Sequence, residues 1–211
     1  VTDDGLLQNN EDNSEESNNK TINWSSKAIV CIDAPHGGSD TGQYDGTNYE
    51  KTQMLSLADS VKNELESAGV TVVMTRTTDT SVDYTKRIEI CNNAKAAALV
   101  SFHRDITDKS GSSRGISAWI HTSSPSNSKS LASDIMEELN GVDVSLSGVN
   151  TSKDYYLNQH SKVASCIIEL GNMYSSKDNK LVTTDIDNTA KLIADGIMKY
   201  LEQAGYTNGS N

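Results

Sequence analysis

The stretch AIVCIDAPHGGSD, residues 28–40, decides the fold class of this 211-residue chain. Its first six residues form a short apolar, β-branched run that ends at an acid, which is typical of a buried strand. A proline, a histidine and two glycines follow, and these residue types indicate a sharp loop. The sequence therefore predicts a strand that ends in a loop carrying His36.

The same alternation of strand, loop and helix continues along the chain. Further strands are predicted at 70–76, 97–103, 115–121 and 164–171, and helices at 50–69, 83–96, 128–140 and 186–205. Strands separated by helices of this length predict an α/β fold. We expect a three-layer sandwich with a mostly parallel, twisted sheet and helices on both faces.

The first 24 residues differ from the remainder in composition. They contain six acids, one lysine and few apolar side chains, so they bury too little to offset the entropy of ordering. We predict an acidic disordered tail or linker over 1–24. The remaining residues, 25–211, are long enough for one folded domain with one core.

The charge of the chain excludes some partners. Its net charge is -11, from 18 basic and 29 acidic residues, and without residues 1–24 it is still -6. Nucleic acid is not an expected partner, because phosphate contacts need clusters of Lys and Arg. The same charge argues against unaided adhesion to an anionic membrane or wall. The sequence contains no run of 18 apolar residues, so it predicts no membrane span.

The chain has three cysteines, Cys31, Cys91 and Cys166, and each lies among apolar neighbours. An odd number without CxxC spacing indicates neither a disulfide framework nor a cysteine metal site. We therefore predict three buried free thiols.

Four ionisable residues lie at predicted strand ends or at a helix start: His36, Glu50, His103 and Glu169. Active sites of open α/β sheets lie outside the carboxyl ends of the strands, so we expect these residues to meet. Two imidazoles and a carboxylate leave one tetrahedral position of Zn²⁺ open to water. His36, Glu50 and His103 are the predicted ligands of one zinc ion, and Glu169 is left to accept a proton.

Each of these residues also has an ordinary structural interpretation. A single histidine at a strand end is often a surface or hydrogen-bonded residue, and Glu50 alone fits a solvated acid in a first helical turn. Glu169 is different, since it directly follows apolar residues among which an unpaired carboxylate is costly. His121, at a strand end, and His160, in a loop, lie outside any motif and are predicted to have structural or surface roles.

The segments IDAPHGGSDTG, YEK, VVMTRTTDTSVDYTKRIEICNNAKAAALVSFH and IIELGNM resemble the zinc-dependent N-acetylmuramoyl-L-alanine amidases of bacterial cell walls, called amidase type 3. The resemblance covers residues 28–205. It implies that His36 of the HGG motif, Glu50 and His103 of the S-x-H motif bind zinc, and that Glu169 of the E-x-G motif is the catalytic acid/base. The implied reaction is hydrolysis of the amide between N-acetylmuramic acid and L-alanine in peptidoglycan.

Other positions match the family or depart from it. Arg76, Asp79, Arg87 and Asn92 match, and we expect them to tie a loop and a helix to the sheet. Pro35 stands where the family usually has glycine, and Asp105 stands where it commonly has asparagine. Proline fixes φ and removes a donor, so we expect an altered approach to His36.

Two further functions stay open on the sequence alone. One is a zinc peptidase acting elsewhere on the stem peptide, and the other is a catalytically silent relative that binds peptidoglycan or regulates a partner hydrolase. We expect a monomer that acts outside the cytoplasm. Because an acidic enzyme needs another means of targeting, we expect a membrane anchor or a wall-targeting module outside this sequence, which begins at Val1 rather than Met.

Overall fold

The structure is a computed structural model that describes residues 21–105 and 109–208. Its strands are β1 (Ile29–Asp33), β2 (Thr71–Met74), β3 (Ala98–Asp105), β4 (Ile116–His121), β5 (Leu146–Ser152) and β6 (Ala164–Asn172). Its helices are α1 (Glu50–Ser67), α2 (Tyr84–Asn93), α3 (Ser128–Glu138), α4 (Tyr156–His160), α5 (Ser176–Lys180) and α6 (Ile186–Gln203), with a 3₁₀ turn at Leu139–Gly141.

The strands form one sheet in the order β2-β1-β3-β6-β4-β5. Strand β4 is antiparallel to β6, and the other four neighbouring pairs in the described sheet are parallel. The predicted α/β fold with a mostly parallel sheet is therefore confirmed. The carboxyl ends of β1, β3 and β6 meet at one edge, which is where the predicted site residues lie.

The two faces of the sheet are covered by different helices. Helices α1, α3 and α6 pack on one face over the larger apolar core, to which β1 contributes Val30 and Ile32 and β3 contributes Val100 and Phe102. Helices α2 and α4 cover the other face over a smaller apolar cluster that includes Leu99. Alternate residues of β1 and β3 thus point to opposite faces, as the pleat of a strand requires. The expected three-layer sandwich is confirmed.

The expectation of three free thiols was wrong. Cys31 on β1 and Cys91 on α2 form a disulfide, with Cα atoms 5.4 Å apart. Their 60-residue separation in sequence gave no spacing signal, because only the packing of α2 on the sheet brings them together. Cys166 is a buried free cysteine, as expected.

The predicted boundary of the tail, at residue 24, lies too far along the chain. Trp24 is buried, its Nε1 donates a hydrogen bond to the carbonyl of Ala68 over 2.9 Å, and its backbone pairs with Thr207. Ile22 also packs against the larger core. Folded structure therefore includes residues 21–24, and the predicted disorder of residues 1–20 lies outside the described residues.

Some elements were not predicted from the sequence. Strand β5 and the short helices α4 and α5 fall in segments that carry no clear apolar period. His160, expected in a loop, is the last residue of α4. No helix within the described ranges is long and apolar enough to cross a membrane.

Candidate active site

Three of the predicted site residues form a compact cluster. Oε2 of Glu50 is 3.2 Å from Nε2 of His36, and Oε1 of Glu50 is 3.3 Å from Nδ1 of His103. One ligand atom from each residue lies within 4.8 Å of the other two, so the cluster could hold a metal ion. Two imidazoles and a carboxylate are donors that Zn²⁺ favours, and the residues present therefore fit zinc.

A loop in an unusual backbone conformation carries His36 over the end of β1. The φ angle of His36 is 60°, in the left-handed region that few side chains adopt. Gly37, at φ 125°, follows, and a Cβ there would lie only 2.1 Å from the carbonyl oxygen of Thr80. Nδ1 of His36 lies 2.9 Å from Oδ2 of Asp40, so the other ring nitrogen is directed into the cluster.

Two arginines hold the backbone of this loop. Nε of Arg76 donates to the carbonyl of Ala34 over 2.8 Å, and its Nη2 donates to the carbonyl of Pro35 over 2.9 Å. Arg87 donates from Nη1 to Ala34 and from Nη2 to the carbonyl of His36, over 2.5 and 2.6 Å. These contacts agree with the structural roles expected for both arginines. The loop brings His36 into the cluster with Pro35 in place.

Below the loop lies a buried carboxylate, Asp33. It accepts hydrogen bonds from Thr75 Oγ1, Ser101 Oγ and Arg87 Nη1 over 2.7, 2.6 and 2.9 Å. Burial favours its neutral form, but the Arg87 charge and the three donors outweigh burial and hold the pKa of Asp33 below its usual 3.8. The network ties the end of β1, the residue after β2 and the middle of β3 to Arg87 on α2.

Glu50 is the first residue of α1 and is fully enclosed. Besides the two imidazoles, it faces two backbone donors, the N–H groups of Gln43 and Arg104, each 2.9 Å from one carboxylate oxygen. Burial alone raises the pKa of a carboxyl group, yet the bonds to His103 and His36 hold the pKa of Glu50 well below its usual 4.5. The side chain is therefore an ionised carboxylate with a fixed orientation.

Glu169 lies beside His103, because the two residues are Cα partners on the adjacent strands β6 and β3. Its Oε1 accepts a hydrogen bond from the Tyr155 hydroxyl over 3.4 Å. Its Oε2 is buried and has no hydrogen-bond partner among the described residues. Burial raises the pKa of Glu169 above its usual 4.5, and burial also raises the pKa of Tyr155. A carboxyl group with a raised pKa and a free oxygen is suited to proton transfer.

The other two histidines lie outside the cluster. His121 is buried at the end of β4, with Nδ1 2.7 Å from Oγ of Ser123, which fits the expected structural role. His160 is exposed and stacks on Tyr156 with ring centroids 4.0 Å apart, which fits a surface role.

The remaining family positions make supporting contacts. Asp79 accepts from the backbone N–H of Gly38 over 2.8 Å, and Asn92 Oδ1 accepts from a backbone N–H in the loop before β6 over 3.2 Å. Asp105, at the end of β3, lies 3.9 Å from Nε of Arg114, and burial raises the pKa of this aspartate.

Asp40, Gln43 and Tyr155 contribute to the site and were not predicted from the sequence. Asp40, which orients His36, stands four residues after it, and a search for carboxylates near a ligand histidine would have found it. Gln43 contributes a backbone N–H, and Tyr155 lies in a segment without a pattern, so neither carried a sequence signal.

These observations define an α/β protein with a metal-type cluster and an adjacent carboxyl group at the carboxyl edge of a mostly parallel sheet. Residues 30–199 match the family model described as N-acetylmuramoyl-L-alanine amidase, and the chain belongs to this family. The resemblance drawn from the sequence motifs is therefore confirmed.

Solved structures agree with this assignment. An N-acetylmuramoyl-L-alanine amidase from Clostridium difficile 630 is 28% identical with a TM-score of 0.78, and the match covers 84% of this chain and 98% of that one. Amidase AmiC2 of Nostoc punctiforme is 29% identical with a TM-score of 0.75, and the match covers 84% of this chain and 99% of that one. A curated relative, the probable cell wall amidase LytH of Staphylococcus aureus, is 28% identical over 188 residues. That match covers 87% of this chain but 62% of LytH, so the chain spans less than two thirds of that relative.

Proposed function

We propose that this chain hydrolyses the amide bond between N-acetylmuramic acid and L-alanine in bacterial peptidoglycan. The observation that carries the proposal is the pairing of a His36, Glu50 and His103 cluster with a neighbouring carboxyl group, Glu169, whose Oε2 has no partner among the described residues. Membership of the amidase family supplies the substrate class.

In this proposal His36, Glu50 and His103 hold one Zn²⁺ ion. When bound, the ion supplies a Lewis acid that polarises the scissile carbonyl and lowers the pKa of water. The protein contributes orientation, because Asp40 fixes the His36 ring and two backbone N–H groups fix the Glu50 carboxylate. Rigid ligands of this kind reduce the reorganisation needed during the reaction.

Glu169 is the proposed acid/base. Hydrolysis adds the hydroxyl of water to the carbonyl carbon and a proton to the amide nitrogen, and the carbon–nitrogen bond breaks. Glu169 takes the proton from water on its unpaired Oε2 and later returns a proton to the leaving amine of L-alanine. A pKa raised by burial makes this carboxylate a better proton acceptor than an exposed one.

A cysteine nucleophile is not needed and does not fit. Cys31 and Cys91 are joined in a disulfide, and Cys166 is fully buried in the larger core. Burial raises the pKa of Cys166, which keeps it in the unreactive thiol form. In the proposed reaction water is the nucleophile, and no covalent intermediate with the protein forms.

We also propose that the chain acts outside the cytoplasm as a monomer. Its curated relative is described as a probable cell wall amidase, and a buried disulfide suits an oxidising compartment. The acidic charge requires another means of reaching the wall, and we assign this task to a membrane anchor or a wall-targeting module outside the sequence.

Mass spectrometry of the products tests the proposal. The zinc-loaded protein is incubated with purified peptidoglycan, and the soluble products are identified. We expect stem peptides that begin with a free L-alanine amine, together with peptide-free glycan. Cleavage within the stem peptide would instead identify a peptidase, and intact muropeptides despite bound zinc would identify a silent relative.

A further inference from the structure

Two stacked tyrosines stand in the loop that leads into α1. The ring centroids of Tyr44 and Tyr49 are 4.5 Å apart with an interplanar angle of 21°. These residues are 45% and 40% exposed. Exposed aromatic surface of this kind is often a place where a ligand binds. The catalytic roles proposed above make no use of either ring.

The loop holds the stack in place. Tyr44 and Tyr49 form an isolated antiparallel bridge through their backbones. The Tyr44 hydroxyl donates to the carbonyl of Gly46 over 2.6 Å, and the Tyr174 hydroxyl donates to the carbonyl of Tyr44 over 3.1 Å. Asp45 Oδ1 accepts from two backbone N–H groups of the same loop. A surface ordered before binding loses less entropy when a ligand arrives.

The stack is directly connected to the candidate active site. Tyr49 is the residue immediately before Glu50 and occupies the N-cap position of α1. The backbone N–H of Gln43 donates to Glu50 Oε2, and the backbone N–H of Glu50 donates to the carbonyl of Gln43, both over 2.9 Å. The loop that carries the stack is therefore hydrogen-bonded to Glu50 of the proposed reacting centre.

The charges near the stack favour an uncharged ligand. Asp45, which stands between the two tyrosines in the loop, is acidic. The ammonium of Lys51 lies 5.9 Å from the centroid of the Tyr49 ring, but it is already paired with Asp79 over 2.7 Å. Asp45 would repel the carboxylates of a stem peptide, whereas it would not repel a neutral sugar ring.

We infer that the Tyr44–Tyr49 stack is a subsite for a sugar ring of the glycan strand, an N-acetylated pyranose near the scissile amide. The inference rests on the proposed function, which it extends to the glycan side of the substrate. A pyranose presents C–H groups on one face, and their partial positive charge is attracted to the electron-rich face of an aromatic ring. The stack would thus bind neutral glycan although the protein and the wall are both acidic.

Binding of chitotetraose, a tetramer of N-acetylglucosamine, tests the subsite apart from catalysis, because this sugar has no lactyl amide. In an NMR titration of the whole chain we expect saturable shifts of the Tyr44 and Tyr49 rings. Tyr44→Ala should weaken binding about tenfold, as expected for one lost aromatic contact. Tyr84→Ala is the matched control, since Tyr84 is 54% exposed but contacts Tyr156 rather than this loop. Equal binding by wild type and Tyr44→Ala would overturn the inference.

Kinetics provide a second test. We compare kcat/KM for a glycan of at least four sugars carrying stem peptides with kcat/KM for a lactyl-peptide without sugar. The ratio of the two values should fall about tenfold in Tyr44→Ala and return in Tyr44→Phe, which keeps the ring. An unchanged ratio, with both values lowered alike, would mean that the stack only supports the loop and would overturn the subsite. If wild type hydrolysed neither substrate, the proposed function would fail, and the chitotetraose titration would still decide the subsite.

Discussion

Glu50 and Glu169 are carboxylates at the same edge of the sheet, yet their surroundings are opposite. On the side of β1, Glu50 faces two imidazoles and the N–H groups of Gln43 and Arg104. On the side of β6, Glu169 has one long contact with Tyr155 and an oxygen without a partner among the described residues. Burial favours the neutral form of both, but only the pKa of Glu169 rises. Hydrogen-bond donors keep Glu50 in its anionic form. Glu169 has fewer donors and can therefore exchange a proton.

The largest expected effect is loss of the metal in Glu50→Gln. This change removes the charge at the centre of the cluster, and loss of groups that merely support ligands already costs about 10–100-fold in metal affinity. We expect zinc affinity to fall at least about 100-fold and turnover to reach background. Zinc content after dialysis measures this, with Glu66→Gln, an exposed position on α1 paired with Lys62, as the control. Full zinc occupancy in Glu50→Gln would show that Glu50 is not a ligand.

The variant Glu169→Gln should lose most of its turnover and should still bind zinc. General acid/base groups contribute about 10²–10⁴ in rate, so we expect kcat to fall by that factor. The zinc content and the thermal unfolding midpoint should stay near those of wild type. If Glu169→Gln lost its zinc, the division of roles between the two carboxylates would be wrong.

A third ionised carboxylate, Asp33, is buried beneath the loop that carries His36, and its effect on stability can be measured. Asp33→Asn leaves the buried Arg87 without its ionised partner, and we expect the free energy of unfolding at pH 7 to fall by about 3 kcal/mol. The pKa of Asp33 is lowered in the folded protein, so its contribution is present above the usual value of 3.8 and is lost as the pH falls through the folded value. Urea denaturation should therefore show a gap between wild type and variant that narrows in acid.

The control for this experiment is an ion pair on the surface. Glu89→Gln removes the partner of Lys86 on α2, where both side chains are more than half exposed. Such pairs contribute little, so the unfolding free energy should barely change at any pH. A gap between wild type and Asp33→Asn that stayed constant down to pH 3 would contradict the role assigned to the Asp33 charge.

The smallest expected effect is that of Tyr155→Phe, which removes the hydrogen bond that the Tyr155 hydroxyl donates to Glu169. A single hydrogen bond is worth about 1 kcal/mol, so kcat/KM should fall about fivefold at neutral pH. The lost donor also favours the protonated form of Glu169, and the acid limb of the pH profile should move to higher pH. Tyr156→Phe, at the next position, should change neither quantity, because Tyr156 stacks on His160 instead. A larger loss in Tyr156→Phe than in Tyr155→Phe would contradict this assignment.

Much of the fold was predictable because its strands and helices have different apolar periods. The runs at β1, β3 and β6 are continuous and apolar, as strands buried on both faces must be. Strand β5 was missed because it is an edge strand that is partly exposed and contains Gly148. Trp24 was missed because a single buried aromatic residue does not alter the composition of a polar segment.

The main residues of the candidate site could be predicted from the sequence, but the groups that hydrogen-bond to them could not. His36, His103 and Glu169 stand near the carboxyl ends of strands, and Glu50 opens a helix, so the topology of the sheet predicts that they meet. Backbone donors and the contact of Tyr155 depend on loop conformations that no local pattern encodes. The roles of the four residues remain predictions that the experiments above test.

The disulfide between Cys31 and Cys91 encloses a covalent ring that contains His36, Glu50 and Arg87. Closing a ring whose ends are 60 positions apart in the sequence stabilises a protein by about 4 kcal/mol on the chain-entropy account. The buffer used for preparation therefore becomes an experimental variable. Protein folded in the presence of a reductant lacks this ring, and its zinc affinity and turnover would describe a looser molecule than the oxidised one.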